Sequence, residues 1–381
     1  MFSPLLIVTI ALCVLYLVLI LYYFVGWLSL PKVEVSEQGK KPFVSIIIPV
    51  RNESEHIKAC LEAIFKQNYP KYLFEVIVVD DYSTDPTIRL AKEIDESSLL
   101  VLDLQQYLGN PGEYVPNKKK AISLGIKNAK GDLIITTDGD CIAGENWLST
   151  MVSYYQSNNY KLITGPVMLK PAKNPFTWFQ QLDVMTLAGI TGATIRNGSP
   201  TMCNGANLMY SKATFHAVEG FKGNNDIPTG DDVFLMQKIE KRFSNSIGYV
   251  KSIDACVCTK PEATLSGFVS QRVRWASKSS GFGNGKIALV LYFAYFFNLF
   301  IFVNLIAILQ PVEMSWLPLA VIGGTKIFVD FVFAIPVTVF FRKPALLLLL
   351  PIINVFHVIY VIIIGVLSLT GKYNWKERAI K

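Results

Sequence analysis

Two aspartates stand directly after an apolar run of the sequence, and their spacing suits the binding of a cation. The stretch LIITTDGDCIAG, residues 133–144, reads as a buried strand that ends in Asp138 and Asp140, which a single glycine separates. Polar side chains also follow two earlier apolar runs, FVSIIIPV and FEVIVVDD, at Arg51, Glu53, Asp80 and Asp81. Carboxylate oxygens are the ligands that hard divalent cations prefer. These clusters are therefore the first candidates for a functional site.

The elements around the clusters alternate between strand and helix. Continuous β-branched runs predict strands at 43–50, 74–81, 99–104 and 131–138. Helical periodicity predicts helices at 54–67, 85–95 and 118–129. Such alternation is typical of a mostly parallel sheet with helices on both faces. Ligands of these sheets bind beyond the carboxyl ends of the strands, so we expect the clusters to converge on one edge of an α/β fold.

The expected edge is strongly acidic. Carboxylates gathered without a cation repel one another and raise one another's pKa, and the simplest relief is a bound divalent metal. Mg²⁺ or Mn²⁺ would also hold the phosphates of a substrate, so Asp138 and Asp140 would clamp a metal-bound diphosphate. A structural explanation is also open, because aspartate at strand ends is common in turns and helix caps. The shared location of the clusters favours the chemical interpretation.

The composition indicates that part of the chain lies in lipid. Of 381 residues, 51% are hydrophobic and 17% are charged, and the mean hydropathy is +0.37. Residues 1–30 carry no charge and are long enough to span a bilayer as a retained anchor. Further apolar runs lie at about 287–310, 317–341 and 345–369. The predicted segments are an anchor (1–30), an α/β domain (31–286), transmembrane or interfacial helices (287–370) and a basic tail (371–381).

The side of the membrane follows from the basic residues. Lys32, Lys40 and Lys41 follow the anchor, which predicts a cytosolic α/β domain by the positive-inside rule. If all three closing runs cross, the basic tail lies outside, so we expect one run not to cross. The middle run is the candidate because Lys326 and Asp330 lie four residues apart on one helix face, where ionisable groups are costly. We favour an ion pair between packed helices over a transport site.

Neither the net charge nor the cysteines indicate a further binding partner. The charge of +7 does not require a nucleic acid, because basic residues next to membrane segments attract anionic lipid headgroups. The six cysteines contain no CxxC pair, so we expect reduced packing residues in a cytosolic domain. The CVC stretch at 256–258 is too tight for a usual zinc site.

Several motifs follow one another in a fixed order between about residues 43 and 280: VSIIIPVRNE, VIVVDDYSTD, Lys118 in NKKKAI, TTDGDC, CNGANLMY, TGDD and QRVRW. Each is weak alone, but the ordered set resembles the large inverting glycosyltransferase family 2. That family includes cellulose, chitin and hyaluronan synthases and ceramide glucosyltransferases. The resemblance implies a Rossmann-like GT-A fold that binds a nucleotide-diphosphate sugar, together with a divalent metal.

The resemblance also implies roles for matching residues. Those expected around the nucleotide base and ribose are Pro49, Arg51, Glu53, Asp80 and Asp81, with Lys118 near the base or the diphosphate. Asp138 and Asp140 would hold the sugar, the diphosphate and the metal. Asp232 matches the catalytic base, and Asp231 stands where many relatives carry glutamate. The matches to the QxxRW motif, which borders the acceptor site and the leaving diphosphate, are Gln271, Arg274 and Trp275.

Displacement of a nucleoside diphosphate from an anomeric carbon requires the same residue types. Negative charge builds on the leaving group, so metal and arginine must neutralise it, with Arg274 and Arg272 as first candidates. A carboxylate on the opposite face must take the proton of the acceptor hydroxyl, and Asp232 is the predicted base. Gly205 and Asn207 suit a pocket for sugar or acceptor, although a tight turn would use them equally.

The few apolar segments favour a lipid acceptor, because they leave little wall for a polymer channel. We therefore expect transfer of one sugar from a UDP- or GDP-sugar to a lipid of a bacterial inner (cytoplasmic) membrane. The nearest alternative is a processive polysaccharide synthase. A nucleotidyltransferase would need a glycine-rich loop after the first strand, which PVRNESE lacks. The most distant alternative is a membrane transporter whose α/β domain senses nucleotide.

Overall fold

The structure is a computed structural model that describes residues 4–33, 40–109, 117–223, 229–277, 285–308, 315–369, 373–375 and 378–380. The chain forms two compact units. The helical unit comprises Met1–Ser29, Ala172–Ala193 and Glu262–Lys381, and the sheet unit comprises Leu30–Pro171 and Thr194–Pro261. The predicted boundaries at residues 30 and 286 stay predictions.

The sheet unit contains the expected α/β fold. In chain order, its strands are β1 (Val44–Val50), β2 (Phe74–Asp80), β3 (Leu99–Asp103), β4 (Leu133–Thr136), β5 (Ile142–Ala143), β6 (Leu162–Thr164), β7 (Val167–Leu169), β8 (Leu208–Ser211), β9 (Ile247–Tyr249) and β10 (Val257–Thr259). The main sheet has the order β3-β2-β1-β4-β8-β6-β9, and β5, β10 and β7 form a smaller sheet. β1 runs parallel to β2 and β4, whereas β8 runs antiparallel to β4 and β6. The prediction of a mostly parallel sheet is confirmed.

Helices cover the sheet, and α numbers follow the whole chain. Those of the sheet unit are α2 (Ile57–Phe65), α3 (Thr87–Lys92), α4 (Leu104–Leu108), α5 (Lys118–Asn128), α6 (Trp147–Ser157), α8 (Lys212–Ala217) and α9 (Asp231–Arg242). Asn117 caps α5, because its Oδ1 accepts the N–H of Lys120 at 3.0 Å. A Cβ built on Gly125 would lie 2.7 Å from Cγ2 of Ile47, so a glycine is needed for this close approach of α5 to β1. Cap and glycine together fix the position of Lys118, the first residue of α5.

The helical unit contains long apolar helices from both ends of the chain. Its elements are α1 (Pro4–Leu28), α7 (Pro175–Arg196, whose last turn lies in the sheet unit), α10 (Leu265–Ser277), α11 (Gly285–Ile308), α12 (Leu317–Phe340), α13 (Leu350–Ser368), β11 (Tyr373–Trp375) and β12 (Arg378–Ile380). Among the described residues, four helical segments are long and apolar enough to cross a membrane: Pro4–Leu28, Ile287–Ile308, Leu317–Phe340 and Pro344–Ser368. The predicted apolar helices at both ends are confirmed.

The ionisable residues of α12 are paired. Nζ of Lys326 lies 2.7 Å from Oδ2 of Asp330, and the hydroxyl of Tyr16 on α1 donates to Oδ1 of the same aspartate. The Tyr16 ring also stacks on Phe297 of α11, with 4.2 Å between ring centroids. The two charges therefore form an ion pair within α12, which the Tyr16 hydroxyl of α1 joins. The preference for a structural role over a transport site stays a prediction. The expectation that α12 does not cross stays a prediction.

Candidate active site

Three segments that follow the central strands meet at one edge of the main sheet. β1 lies between β2 and β4, so its carboxyl end is flanked by theirs. The backbone N–H of Asp81 donates to the carbonyl of Val50 at 2.7 Å, and that of Thr137 donates to the carbonyl of Ile47 at 3.2 Å. The structure therefore brings together segments 51–53, 80–81 and 137–140, as the strand-end rule requires.

Arg51 fixes the loop after β2. Its side chain is buried, and Nη1 donates to the carbonyl of Asp81 at 2.9 Å and to that of Tyr82. Asn52 extends the connection, because its Oδ1 accepts the N–H of Thr84 at 2.8 Å. Asn52 and Tyr82 adopt φ angles of 49° and 57°, a left-handed conformation that costs non-glycine residues energy. These contacts hold both loops in one shape. The contact between Asn52 and Thr84 was not predictable from a sequence motif.

Asp80 presents an unpaired oxygen at this edge. Its Oδ2 accepts the N–H of Ser83 at 2.9 Å, whereas Oδ1 is buried without a hydrogen-bond partner in the described part of the chain. Burial raises the pKa of Asp80, against the lowering effect of the hydrogen bonds from Ser83. A buried acceptor left unpaired costs free energy, so this oxygen is suited to a donor group of a ligand.

The other predicted residues near the first strand lie close by. Pro49 is buried within β1. Glu53 is also buried, and a Cβ built on Gly139 would lie 3.2 Å from its Cγ. The glycine between Asp138 and Asp140 therefore allows the third segment to pack against Glu53.

Lys118 joins two acidic motifs. Its Nζ lies 2.6 Å from Oδ1 of Asp138 and 3.7 Å from Oδ2 of Asp231. Burial lowers the pKa of Lys118, but the charges of Asp138, Asp231 and Asp232 outweigh burial and raise it above its ordinary value. The ammonium group therefore stays charged. From the sequence we expect a metal to relieve the acidic repulsion, whereas the structure places a lysine cation inside the cluster.

Asp232 is held by the backbone. Its Oδ1 accepts the N–H of Val233 at 2.8 Å, and its Oδ2 accepts the N–H of Gly205 at 3.2 Å. A Cβ built on Gly205 would lie 3.1 Å from Oδ2 of Asp231 and 3.4 Å from Nζ of Lys118. Gly205 thus leaves space for both charged groups and orients the neighbouring carboxylate.

Asn207 lies in the core instead of a pocket. Its side chain has no exposed surface, and Nδ2 donates to the carbonyls of Pro166 at 2.9 Å and Ala255 at 2.7 Å. Its Oδ1 accepts Nε1–H of Trp147 at 2.9 Å. The suggestion that Asn207 lines a pocket for sugar or acceptor is therefore wrong, because its amide is used in holding the core together.

The residues at Asp138 and Asp140 fit a hard cation that brings further ligands. In the described ranges, no group of three or more His, Cys, Asp or Glu side chains could hold a metal alone. Oδ2 of Asp140 accepts the hydroxyl of Thr259 at 2.8 Å, which orients the carboxylate. Burial raises the pKa of the Cys60 and Cys141 thiols, and Asp140 raises it further, so thiolate ligands are disfavoured. Two carboxylates suit Mg²⁺ or Mn²⁺, which commonly takes its other ligands from water and phosphates.

The structure also gives the surroundings of the six cysteines and of the residues of the QxxRW motif. All six cysteines fall in described ranges, and none of them forms a disulfide. In the helical unit, Nε2 of Gln271 donates to Oε1 of Glu262 at 3.0 Å, and Arg274 and Trp275 are half-buried on the same helix, α10.

Arg272 is locked inside the helical unit. Nη2 lies 2.7 Å from Oδ2 of Asp183 on α7, and the two side chains are 2% and 8% exposed. The guanidinium also packs between the rings of Phe268 and Trp275, at 4.8 and 4.2 Å from their centroids. Nothing in the sequence pointed to Asp183, because its helix carries no motif.

Known protein families match most of the chain. The model of glycosyl transferase family 2 matches residues 45–218, and that of glycosyl transferase family group 2 matches residues 133–370.

Curated relatives have related descriptions. Identity is 38% over 130 residues to glycosyltransferase AglE of Haloferax volcanii, which covers 33% of this chain and 40% of the relative. A second relative, from Methanococcus voltae, is 35% identical over 117 residues, which are 30% of this chain and 34% of the relative. It is described as a dolichyl N-acetyl-alpha-D-glucosaminyl phosphate 3-beta-D-2,3-diacetamido-2,3-dideoxy-beta-D-glucuronosyltransferase. A poly-beta-1,6-N-acetyl-D-glucosamine synthase of Staphylococcus aureus is 27% identical over 241 residues, which are 61% of this chain and 53% of the relative. The matches thus span between 34% and 53% of the lengths of these relatives.

A solved structure shares the fold over nearly the whole chain. It is a mannosyltransferase from Pyrobaculum calidifontis in complex with GDP-Man and Mn²⁺, with a TM-score of 0.59 and 18% identity. The similarity covers 96% of this chain and 99% of that one. The GT-A fold expected from the sequence is therefore confirmed.

Proposed function

Because the chain belongs to glycosyl transferase family 2, we propose that it transfers one sugar from a nucleotide-diphosphate sugar to a lipid acceptor in the membrane. The observation that carries this proposal is the charged cluster of Lys118, Asp138 and Asp231 at the carboxyl edge of the main sheet, next to Asp232. On this proposal, these groups would bind the diphosphate, and the neighbouring carboxylate of Asp232 would accept a proton.

The donor would bind along the three loop segments. The unpaired Oδ1 of Asp80 suits a hydrogen-bond donor of the nucleoside, and Arg51 holds the loop around it. Pro49, Glu53 and Asp81 complete the proposed nucleoside side. Asp138 and Asp140 would hold Mg²⁺ or Mn²⁺, which would neutralise charge on the leaving diphosphate. The complex of the structural neighbour with GDP-Man and Mn²⁺ supports a nucleotide-sugar donor, which we propose to be a UDP- or GDP-sugar.

Asp232 is the proposed catalytic base. The N–H groups of Gly205 and Val233 hold its two oxygens, yet each carboxylate oxygen can accept more than one hydrogen bond. An oriented carboxylate can therefore take the proton of the acceptor hydroxyl as that oxygen attacks the anomeric carbon. A single displacement of this kind inverts the anomeric centre. Asp231 would assist by its interaction with Lys118.

The QxxRW residues would serve the acceptor side. Arg274 and Arg272 stay the arginines proposed to neutralise the leaving group, and Arg272 also pairs with Asp183. Gln271 and Trp275 would border the acceptor. These assignments follow the family motif and remain part of the proposal.

The apolar helices support a lipid acceptor. A chain with four candidate membrane spans would meet its acceptor in the bilayer, as an integral protein of the cytoplasmic membrane with a cytosolic sheet unit. The name of the Methanococcus voltae relative includes a dolichyl phosphate acceptor. The Staphylococcus aureus relative is a polymer synthase, which favours a processive synthase as the second candidate.

A transfer screen tests both candidates. Detergent-purified protein is incubated with Mn²⁺ or Mg²⁺, a panel of nucleotide sugars and total membrane lipid. Nucleoside diphosphate release and the masses of lipid products are then measured. A lipid heavier by one sugar supports the proposal, a ladder of added sugars supports the synthase, and no release with any donor contradicts both.

A further inference from the structure

The position of Lys118 at Asp138 is one that a divalent cation would also need. The distance of 2.6 Å from Nζ to Oδ1 of Asp138 is that of a charge-assisted hydrogen bond. We propose that Lys118 keeps divalent metal weakly bound at Asp138 and Asp140 until a nucleoside diphosphate arrives, so that metal and donor bind together. This inference rests on the proposed function, because it uses the same two aspartates as metal ligands.

The electrostatic reason is repulsion between two cations. A metal at Asp138 and the ammonium of Lys118 would share one carboxylate, and the lysine side chain is only 19% exposed, so water screens the repulsion poorly. A diphosphate brings negative charge that attracts both cations. Metal should therefore bind weakly alone and more tightly with the nucleotide, and by thermodynamic linkage the metal should strengthen nucleotide binding by the same factor.

Lys118 has a second partner that it can keep when metal takes Asp138. Oδ2 of Asp231 lies 3.7 Å from Nζ, and Gly205 leaves the space between them free of a side chain. The Asp138 side chain is 36% exposed, whereas that of Asp231 is 10% exposed. A metal from solvent can thus reach Asp138 more easily, while the lysine stays paired with the more buried aspartate.

Metal binding without turnover tests the inference. Mn²⁺ binding to the full detergent-purified chain is measured by electron paramagnetic resonance, with no nucleotide, with UDP and with GDP. In the wild type, we expect the better of the two nucleotides to tighten Mn²⁺ binding by roughly tenfold or more, the change that about 1.4 kcal/mol makes. In Lys118→Met, Mn²⁺ alone should bind roughly tenfold tighter than in the wild type, and the effect of nucleotide should shrink.

Two matched variants separate charge from structure. Lys118→Arg retains the positive charge and should behave like the wild type. Lys127→Met removes the same charge from an exposed position of the same helix, α5. Nine residues further along a helix is about 13 Å, beyond effective screening distance, so Mn²⁺ affinity should not change in this control.

Clear results would overturn the inference. The inference is refuted if the Lys118→Met variant binds Mn²⁺ no more tightly than the wild type. It is also refuted if the Lys118→Met and Lys118→Arg variants bind Mn²⁺ with equal affinity. Equal Mn²⁺ affinity of the wild type with and without nucleotide would also refute it, even if the Met variant failed to fold, and would leave the metal site at Asp138 and Asp140 standing. If no Mn²⁺ binds under any condition, the metal part of the proposed function fails together with the inference.

Discussion

Replacement of Asp232 by asparagine separates the chemical step from donor binding. The variant keeps the size of the side chain and one of its two acceptor oxygens. If that oxygen accepts the N–H of Val233, as Oδ1 does now at 2.8 Å, the new amide group faces the N–H of Gly205, which now donates to Oδ2 at 3.2 Å. One hydrogen bond is then lost, at a cost of about 1 to 3 kcal/mol. Such a cost leaves most domains folded.

The expected loss of activity is much larger than the loss of stability. Removal of a general base reduces the rate by roughly 10²- to 10⁴-fold, or about 3 to 5 kcal/mol in the barrier. Donor binding should change little, because the proposed donor contacts lie at Asp80, Asp138 and Asp140. The assay is sugar transfer by mass of the lipid product, together with donor affinity measured separately by equilibrium binding.

A control variant and two possible results test the assignment of Asp232 as the base. Asp254→Asn makes the same chemical change at an exposed position of the same unit and should retain normal transfer. A loss of turnover below roughly tenfold in Asp232→Asn would refute the assignment of the base, since this is less than a positioned base contributes. Loss of donor affinity in place of turnover would show that Asp232 binds the donor.

Three further variants test the donor side. Asp140→Ala should abolish the increase in donor affinity that Mn²⁺ causes, and an equal donor affinity with and without chelator in the wild type would contradict the clamp. Gly205→Ala would place Cβ 3.1 Å from Oδ2 of Asp231, so transfer should fall by roughly tenfold or more, while the melting temperature changes little; normal transfer would show that the site tolerates the crowding. Burial raises the pKa of Asp80 in the folded state, so the stability that this group contributes is present at acid pH and lost as pH rises through the folded pKa. Asp80→Asn should therefore raise the melting temperature of the nucleotide-free protein at neutral pH and reduce the change of that temperature with pH. The variant should also bind the donor more weakly. A melting temperature below that of the wild type at neutral pH would contradict this account.

The parallel half of the sheet was predictable because its strands carry long apolar runs. β1 and β2 are buried along their whole length, and central parallel strands of this kind read as continuous β-branched segments. The strands from β5 to β10 span two to four residues each, too few for any periodicity to be recognised. Their pairing, including the antiparallel β8, therefore depended on long-range contacts that the local sequence does not encode.

The same difference separates the predictable from the unpredictable parts of the site. Strand ends identified segments 51–53, 80–81 and 138–140, because the topology of a parallel sheet brings such ends together. The contacts of Asp140 with Thr259 and of Arg272 with Asp183 join positions far apart in the chain. Neither partner belongs to a recognisable motif, so only the folded structure could show them.

Lys118 supplies a positive charge within the acidic cluster. From the sequence alone, the gathered carboxylates are expected to require a bound metal, since without a cation they would repel one another. Positions 118, 138 and 231 are distant in sequence, but the fold places the lysine between both aspartates, and this internal cation allows the site to fold before any donor arrives. A metal must then compete with a tethered charge. On our proposal, the aspartates would define where a metal binds, whereas Lys118 would set how weakly it binds before the diphosphate is present.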